Sequence, residues 1–309
     1  MYKGTCVLGS INMDIIVSVD RFAVPGETLK GLSMSLMPGG KGANQAISIA
    51  NMGVGVDLIG AVGKDQFGDS LLENLVQHGV NIDFVDRLSA DTGTAVVTVD
   101  SNGENQIVVI PASNSFVLKS VFKEYLVGKT SLPRYLLSQF ETPIDVVHSA
   151  FRYAKKAGIL TVLNPSPIKD IPKHILYLTD ILILNEVELG HITGEMERVE
   201  LLDSKELIQL AVEWRRSIGS LTVIVTLGGS GVIALVGEEI IQQSAFKVKN
   251  VVDTTGAGDC FCGSLIAFLE KGYEFRKGLQ LAQKSAALSV QKSGASPSFP
   301  NLESVVRGV

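Results

Sequence analysis

The sequence predicts an α/β protein: a doubly wound, mostly parallel sheet with helices on both faces, plus a smaller separate sheet. Three observations carry this. Short continuous apolar runs, such as "ILTVLN" (159–164), "TDILILN" (179–185) and "LTVIVTLG" (221–228), alternate with helical patterns over the second half of the chain. Strands buried on both faces read as continuous β-branched runs, and their alternation with helices implies a parallel sheet. By contrast, "IIVSVDRF" (15–22), "LKGLSMSLM" (29–37) and "TAVVTVD" (94–100) alternate apolar and polar residues, as strands with one wet face do. They do not suit a buried parallel sheet, so they are assigned to a small sheet contributed by two chain segments, about 12–38 and 93–111.

The elements follow in order. "TCVLGSI" (5–11) is a short buried strand, and "VPGET" (24–28) is a turn between two small-sheet strands. "ANQAISIANMG" (43–53) is a helix closed by Gly53, "VDLIGAVG" (56–63) a strand, and "FGDSLLENLVQHG" (67–79) a helix closed by Gly79. "SNGEN" (101–105) turns "TAVVTVD" into "QIVVI" (106–110), a hairpin. Later come a helix at 145–158, another at 204–219, the runs "GVIALVG" (231–237) and "FKVKNVV" (246–252), and two helices after residue 259. No linker, repeat or low-complexity stretch divides the chain, so residues 1–309 form a single domain with the small sheet inserted.

Composition bounds function. The chain has 309 residues, 46% hydrophobic and 19% charged, with a formal net charge of −5, enough for a large core and too acidic for a nucleic-acid footprint. No window reaches the apolar length of a membrane span, and the N-terminal apolar stretch is too short for a secretory leader. Cys6, Cys260 and Cys262 are too few for a disulfide framework. Cys260 and Cys262, two apart on a helix, face different directions and read as small buried fillers. The expectation is a cytoplasmic protein without nucleic-acid or membrane partners.

Two glycine-rich clusters precede helices, where unpaired N–H groups and the helix dipole favour an anion. "GGKGANQA" (39–46) is the first and "DTTGAGD" (253–259) the second. Neither is a P-loop or a dinucleotide fingerprint. "GKT" (128–130) ends like a P-loop, but Lys123 stands where its first glycine belongs. In the second cluster, Gly256, Ala257 and Gly258 can present successive N–H groups to a transferring phosphoryl, and Asp259 lies beside them. Taken alone, Asp259 reads as a helix N-cap or as a base positioned to take a proton from a hydroxyl nucleophile. Asn12 and Asp14 read as an Asx turn or as two polar groups on one side of a strand end.

The order of "GSINMD" (9–14), "GGKGANQA", "QFETP" (139–143), "NEVE" (185–188), "TLGGSG" (226–231) and "DTTGAGD" resembles the ribokinase family of PfkB-type carbohydrate kinases over residues 5–300. The resemblance implies a Rossmann-like body with a β-sheet lid. It implies ATP-dependent phosphorylation of the 5-hydroxyl of D-ribose, with deoxyribose, another ketose or sugar acid, or a nucleoside as alternative substrates. A sugar-binding or regulatory protein that has lost catalysis is the rival from another class.

By the same resemblance, Asn12, Asp14, Gly40, Lys41, Asn44 and Glu141 bind the sugar, with "GGKGANQA" on the hinge side of the lid. Asp259 is the base, and Gly256, Ala257 and Gly258 form the anion hole. Asn185, Thr226, Gly228, Gly229, Gly231, Gly258 and Gln283 bind ATP, and Glu188 organises Mg²⁺ through water. Asp253, Thr255, Ser289, Lys292, Gly294 and Ser298 match a K⁺ site, several of them through backbone oxygens. A homodimer paired through the lid is also implied. "PASN" (111–114) departs from the family pattern at the end of the second small-sheet hairpin, as does Ser264 on the helix after the base. His78, His148, His174 and His191 match no catalytic role, and Trp214 reads as packing.

Overall fold

The computed structural model describes residues 4–219 and 221–307. The remaining ends of the 1–309 span lie outside the described residues. The chain runs β1 (Thr5–Leu8), β2 (Asn12–Ser18), β3 (Ser33–Gly39), α1 (Lys41–Asn51), β4 (Val56–Gly63), α2 (Gln66–Gln77) and β5 (Asn81–Leu88). Then follow β6 (Gly93–Val99), β7 (Asn105–Ile110), α3 (Val121–Val127), β8 (Tyr135–Ser138), α4 (Ile144–Lys156) and β9 (Leu160–Leu163). The second half continues with α5 (Lys173–Leu176), β10 (Ile181–Asn185), α6 (Glu186–Thr193), α7 (Ser204–Ile218) and β11 (Thr222–Thr226). It closes with β12 (Val232–Val236), β13 (Glu239–Gln243), α8 (Ala257–Glu270), α9 (Phe275–Ser289) and α10 (Leu302–Val306).

Nine strands form one sheet in the order β13-β12-β11-β10-β9-β8-β1-β4-β5. It is parallel from β11 to β5, while β12 and β13 are antiparallel. The run at 231–237 therefore departs from the parallel expectation. The short link from β11 through 227–231 cannot accommodate a crossover, so the chain must turn back on itself.

Each sheet face has its own core, because alternate residues of a strand point to opposite faces. Ile181 and Ile183 pack with α1, α2, α8 and α9, whereas Leu182 and Leu184 pack with α3, α4, α6 and α7. The unbroken apolar run of β10 thus fills both cores. Trp214 packs against the second core, and Cys6, Cys260 and Cys262 are free and buried. Ser264 is buried in α8 within 3.2 Å of Ser48 on α1, so its hydroxyl serves helix packing.

The second sheet has the order β3-β2-β6-β7, with β2 and β6 parallel and the outer pairs antiparallel. It comes from the two predicted segments. β7 differs from a one-face-wet strand: every residue from Asn105 to Ile110 is exposed. "FKVKNVV" forms no strand at all; Val251 and Val252 there are exposed. Among the described residues, no helix is long and apolar enough to cross a membrane.

Candidate active site

The chain leaves the large sheet between β1 and β2, placing Gly9–Ile11 at the carboxyl end of β1, where the strand order reverses between β4 and β8 and open α/β sheets place their sites. α1 starts against this corner. Its N-cap is Gly40, and Lys41 is already its first residue. Asn12 and Asp14 lie within β2 rather than in an Asx turn. In the register, Asn12 pairs with Gly39 and Gly93, and Asp14 with Met37 and Ala95. A Cβ on Gly39 would lie 2.2 Å from the Asp14 carboxylate, so only glycine lets β3 pass that side chain.

Three cavities run along this end of the sheet. The first, about 320 Å³, is lined by Asn12, Asn114, Glu141, Thr142 and Lys169 among others. The second, about 220 Å³, is lined by Lys41, Asn164, Asn185, Glu188, Gly256 and Asp259 among others. The third, about 270 Å³, contains Gly228, Gly229, Gly231, Phe246, Ala257 and Gln283. Thr226 and Gly258 line both the second and the third, so these two are continuous. Glu141 ties the first to the second: its Oε2 accepts from the Lys41 N–H at 3.1 Å and from the Ser10 hydroxyl.

Asp259 is not a helix cap. Gly256, with φ 72°, is the N-cap of α8, and Asp259 is buried in the first turn. Its Oδ2 accepts from Asn44 Nδ2 at 3.1 Å and its Oδ1 from Gln45 Nε2 at 2.9 Å. Burial pushes its carboxyl up, against the opposing pull of Lys41 and the two amides. Burial works against the Lys41 ammonium, but Asp259, Glu141 and Glu188 outweigh it and raise its pKa. Burial, with Glu141 and Asp259 nearby, pushes Asp14 up to about 7. The site is therefore a set of crowded carboxylates around one half-buried cation, the arrangement that poises acid–base groups.

The three glycine-cluster amides divide. Gly256 and Gly258 line the second cavity, while the Ala257 N–H donates to the Thr254 carbonyl at 3.2 Å. Asn185 and Glu188 close a capping box on α6: Asn185 Oδ1 accepts from the Glu188 N–H at 2.7 Å, and Glu188 Oε2 from the Asn185 N–H at 3.0 Å. Gln283 donates to Gln243 Oε1 at 2.9 Å, and its own Oε1 is buried without a partner.

Of the six residues matched to a K⁺ site, three meet directly. Asp253 accepts from the N–H of Thr255 and of Gly294, each at 2.8 Å. Burial raises the Asp253 carboxyl, but the Thr255 hydroxyl and these two N–H bonds outweigh it and hold it below its usual range. Ser289 and Lys292 are joined by a backbone bond of 3.1 Å, and the side chain of Lys292 is exposed. Ser298 bonds only to Ala295.

Four functional amides escaped sequence reasoning: Gln45, Asn114, Gln139 and Asn164. Asn114 donates to Asn12 Oδ1 at 2.8 Å and accepts from the Ile11 N–H at 3.0 Å. It lies in the "PASN" departure, next to Ala112, whose φ of 42° is the one positive value outside glycine among the described residues. Gln45 carried a signal, a polar residue inside an apolar helix turn. The histidines stay apart from the site: His148 stacks edge-on with His174, and His191 meets Asp170.

A buried carboxylate beside helix-start amides, on a cavity continuous with a glycine-lined one, suits transfer of a group onto a hydroxyl. The chain matches the pfkB family carbohydrate kinase model over residues 3–302 and belongs to that family, the carbohydrate kinases. Its relatives include ribokinases. The ribokinase of Haemophilus influenzae is 36% identical over 302 residues, covering 97% of this chain and 96% of that one. The ribokinase of Staphylococcus aureus is 34% identical over 310 residues, with 99% of each chain covered. The structure of Arabidopsis thaliana ribokinase complexed with ribose and ATP superposes with a TM-score of 0.88 at 31% identity, covering 99% of this chain and 98% of that one.

Proposed function

We propose that this chain transfers the γ-phosphoryl group of ATP to the 5-hydroxyl of D-ribose, giving D-ribose 5-phosphate and ADP. The observation that carries this reading is the place of Asp259, buried on the second cavity, which Glu141 ties to the first and Thr226 and Gly258 join to the glycine-lined third. The likeness to ribokinases, one of them complexed with ribose and ATP, supports the choice of substrates.

In this reading the first cavity holds the sugar. Asn12, Asp14 and Glu141 accept hydrogen bonds from its hydroxyls, and Lys41 and Asn44 donate to its oxygens. The Gly40 backbone comes close because no side chain intervenes. The third cavity holds the nucleotide, with Thr226 and the glycines at 228, 229 and 231 along its phosphates and Gln283 near its base. Asp259 takes the proton of the attacking hydroxyl while the Gly256 and Gly258 amides receive charge developing on the phosphoryl. Ala257 N–H would join them only by leaving Thr254. The small sheet acts as the lid that excludes water, hinged at Gly39–Gly40.

The residues present fit Mg²⁺ held mainly by water and phosphate oxygens. Among the described residues no three acidic, His or Cys side chains are grouped so that they could hold a metal ion, and Glu188 shares the second cavity with Asp259. When bound, Mg²⁺ supplies charge neutralisation on the phosphates, and Asn185 and Glu188 would orient its waters. Asp253 fits K⁺: its carboxylate is held charged, and the Thr255, Ser289, Lys292, Gly294 and Ser298 backbone lies along the same C-terminal segments. The fully exposed β7, with Val108 63% exposed, and β3, with Met34 68% exposed, suit pairing of two lids in a homodimer. Three free buried cysteines suit a reducing cytoplasm.

The test is a panel of D-ribose, 2-deoxyribose, ketohexoses, sugar acids and nucleosides with ATP, Mg²⁺ and K⁺, reading ADP release. D-ribose should give the highest kcat/KM. A higher value for another substrate reassigns the sugar. No ADP release with any of them overturns the kinase reading and leaves a sugar-binding protein.

A further inference from the structure

We propose that Gln45 is a positioning residue for phosphoryl transfer: its amide anchors Asp259 Oδ1 and reserves Oδ2 for the proton of the sugar hydroxyl. This rests on the reading of Asp259 as the base. The bonds fix the direction of every amide in the chain of contacts. The Ile183 carbonyl can only accept, so Asn164 must present Nδ2 to it, at 3.0 Å. Asn164 Oδ1 then faces Gln45 and can only accept, so Gln45 must present Nε2, at 3.1 Å. The second Nε2 hydrogen of Gln45 goes to Asp259 Oδ1 at 2.9 Å. Gln45 Oε1 faces the other way and accepts from Gln139 Nε2.

The two glutamines cannot trade partners with solvent, and Asn164 and Asp259 meet only the second cavity. Gln45 and Gln139 are 0% exposed, Asn164 9% and Asp259 7%. Oδ1 is therefore held as an acceptor and cannot carry the proton. Oδ2 is bonded to Asn44, a residue assigned to the sugar, whose own Oδ1 is buried without a partner. When Asn44 turns to the sugar, Oδ2 is released at the same moment that the hydroxyl arrives. The step then balances. The sugar O–H bond breaks and its proton goes to Oδ2. The sugar oxygen bonds to the γ-phosphorus, and the bridging P–O bond breaks with its electron pair leaving on ADP. Asp259 later returns the proton to water.

The charged and titratable groups facing Asp259 are Lys41, Glu141 and Asp14, with Glu188 on the same cavity and the Cys260 and Cys262 thiols beside it on α8. All stay in place in the variant Gln45→Met, which keeps side-chain length and deletes both N–H donors. A lost donor to the carboxylate raises its pKa, so the acid limb of the kcat–pH profile should move up by about one unit. The expected kcat is lower by about 30-fold, with the sugar KM within about threefold. A folded Gln45→Met enzyme with the wild-type acid limb overturns the proposal, because a purely structural amide would cost stability and leave the limb alone. If that variant does not fold, Gln139→Leu frees the far end of the Gln45 amide and should move the limb the same way by a smaller amount. An unmoved limb there also overturns it. Wild-type protein that phosphorylates nothing overturns both this proposal and the kinase reading, whereas an active wild type with unshifted variants sinks the positioning role alone.

Discussion

The side-chain amide of Asn114 donates to Asn12 Oδ1 at 2.8 Å, fastening the end of the second small-sheet hairpin to the strand that begins the sheet. Asn114 also bridges the Ile11 backbone, donating to its carbonyl at 3.2 Å and accepting from its N–H at 3.0 Å. One buried amide thus fixes the rotamer of a proposed sugar ligand and closes the corner beneath it. Asn114→Leu should raise the sugar KM by at least tenfold, change the ATP KM little, and cost about 2–4 kcal/mol in a urea melt, since it strands buried backbone groups. Unchanged sugar KM in a folded variant would remove Asn114 from the sugar site.

Asp259→Asn keeps the size of the side chain and removes its basicity. Turnover should fall by about 10³-fold or more. Ribose binding measured by calorimetry should stay within a few-fold of wild type. Substantial remaining turnover would show that the proton leaves by another route.

Asp14 stands in a conflict between binding and stability. Its carboxyl is raised from 3.8 to about 7, by burial first and then by Glu141 and Asp259. A raised acid stabilises the fold fully below its unfolded value, and that contribution is lost as pH rises through about 7. Asp14→Asn removes the burial of a charge, so at pH 8 it should be more stable than wild type by about 1–3 kcal/mol. The gain should shrink as pH falls toward 4, while sugar affinity drops at least tenfold at every pH. Equal stability gains at pH 8 and pH 5 would contradict the assignment.

Asp253 makes a case for cation dependence. Replacing K⁺ by tetramethylammonium should slow wild-type turnover several-fold. Asp253→Asn should lower the rate in K⁺ and erase most of the difference between the two cations. A wild-type rate indifferent to the cation would end the K⁺ proposal.

Much of this was legible in the sequence where local pattern decides. β4 matches its apolar run from Val56 to Gly63, and Asp259 follows from the cluster that contains it. Two strands that escaped, and one expected strand that does not form, have identifiable reasons. β5, "NIDFVDRL", is an edge strand carrying three acidic or basic side chains, so no apolar run marks it. β8 has 4 residues, too few for a period to show. "FKVKNVV" alternates like a strand, but Val248 and Val251 line the glycine-lined third cavity instead of joining a sheet. The missed amides have a different cause. Gln45 meets Asp259 across 214 residues and Gln139 across 94, and a buried glutamine leaves no mark on local periodicity.

Those sequence separations bear on how the protein is made. Asn44 and Gln45 emerge from the ribosome early, and their partner Asp259 lies 215 and 214 residues further on. A nascent or truncated chain that already displays the glycine-rich start of α1 has no Asp259, the proposed base, to serve it. Phosphoryl chemistry therefore switches on only when the last third of the polypeptide has docked, and unfinished chains cannot waste ATP.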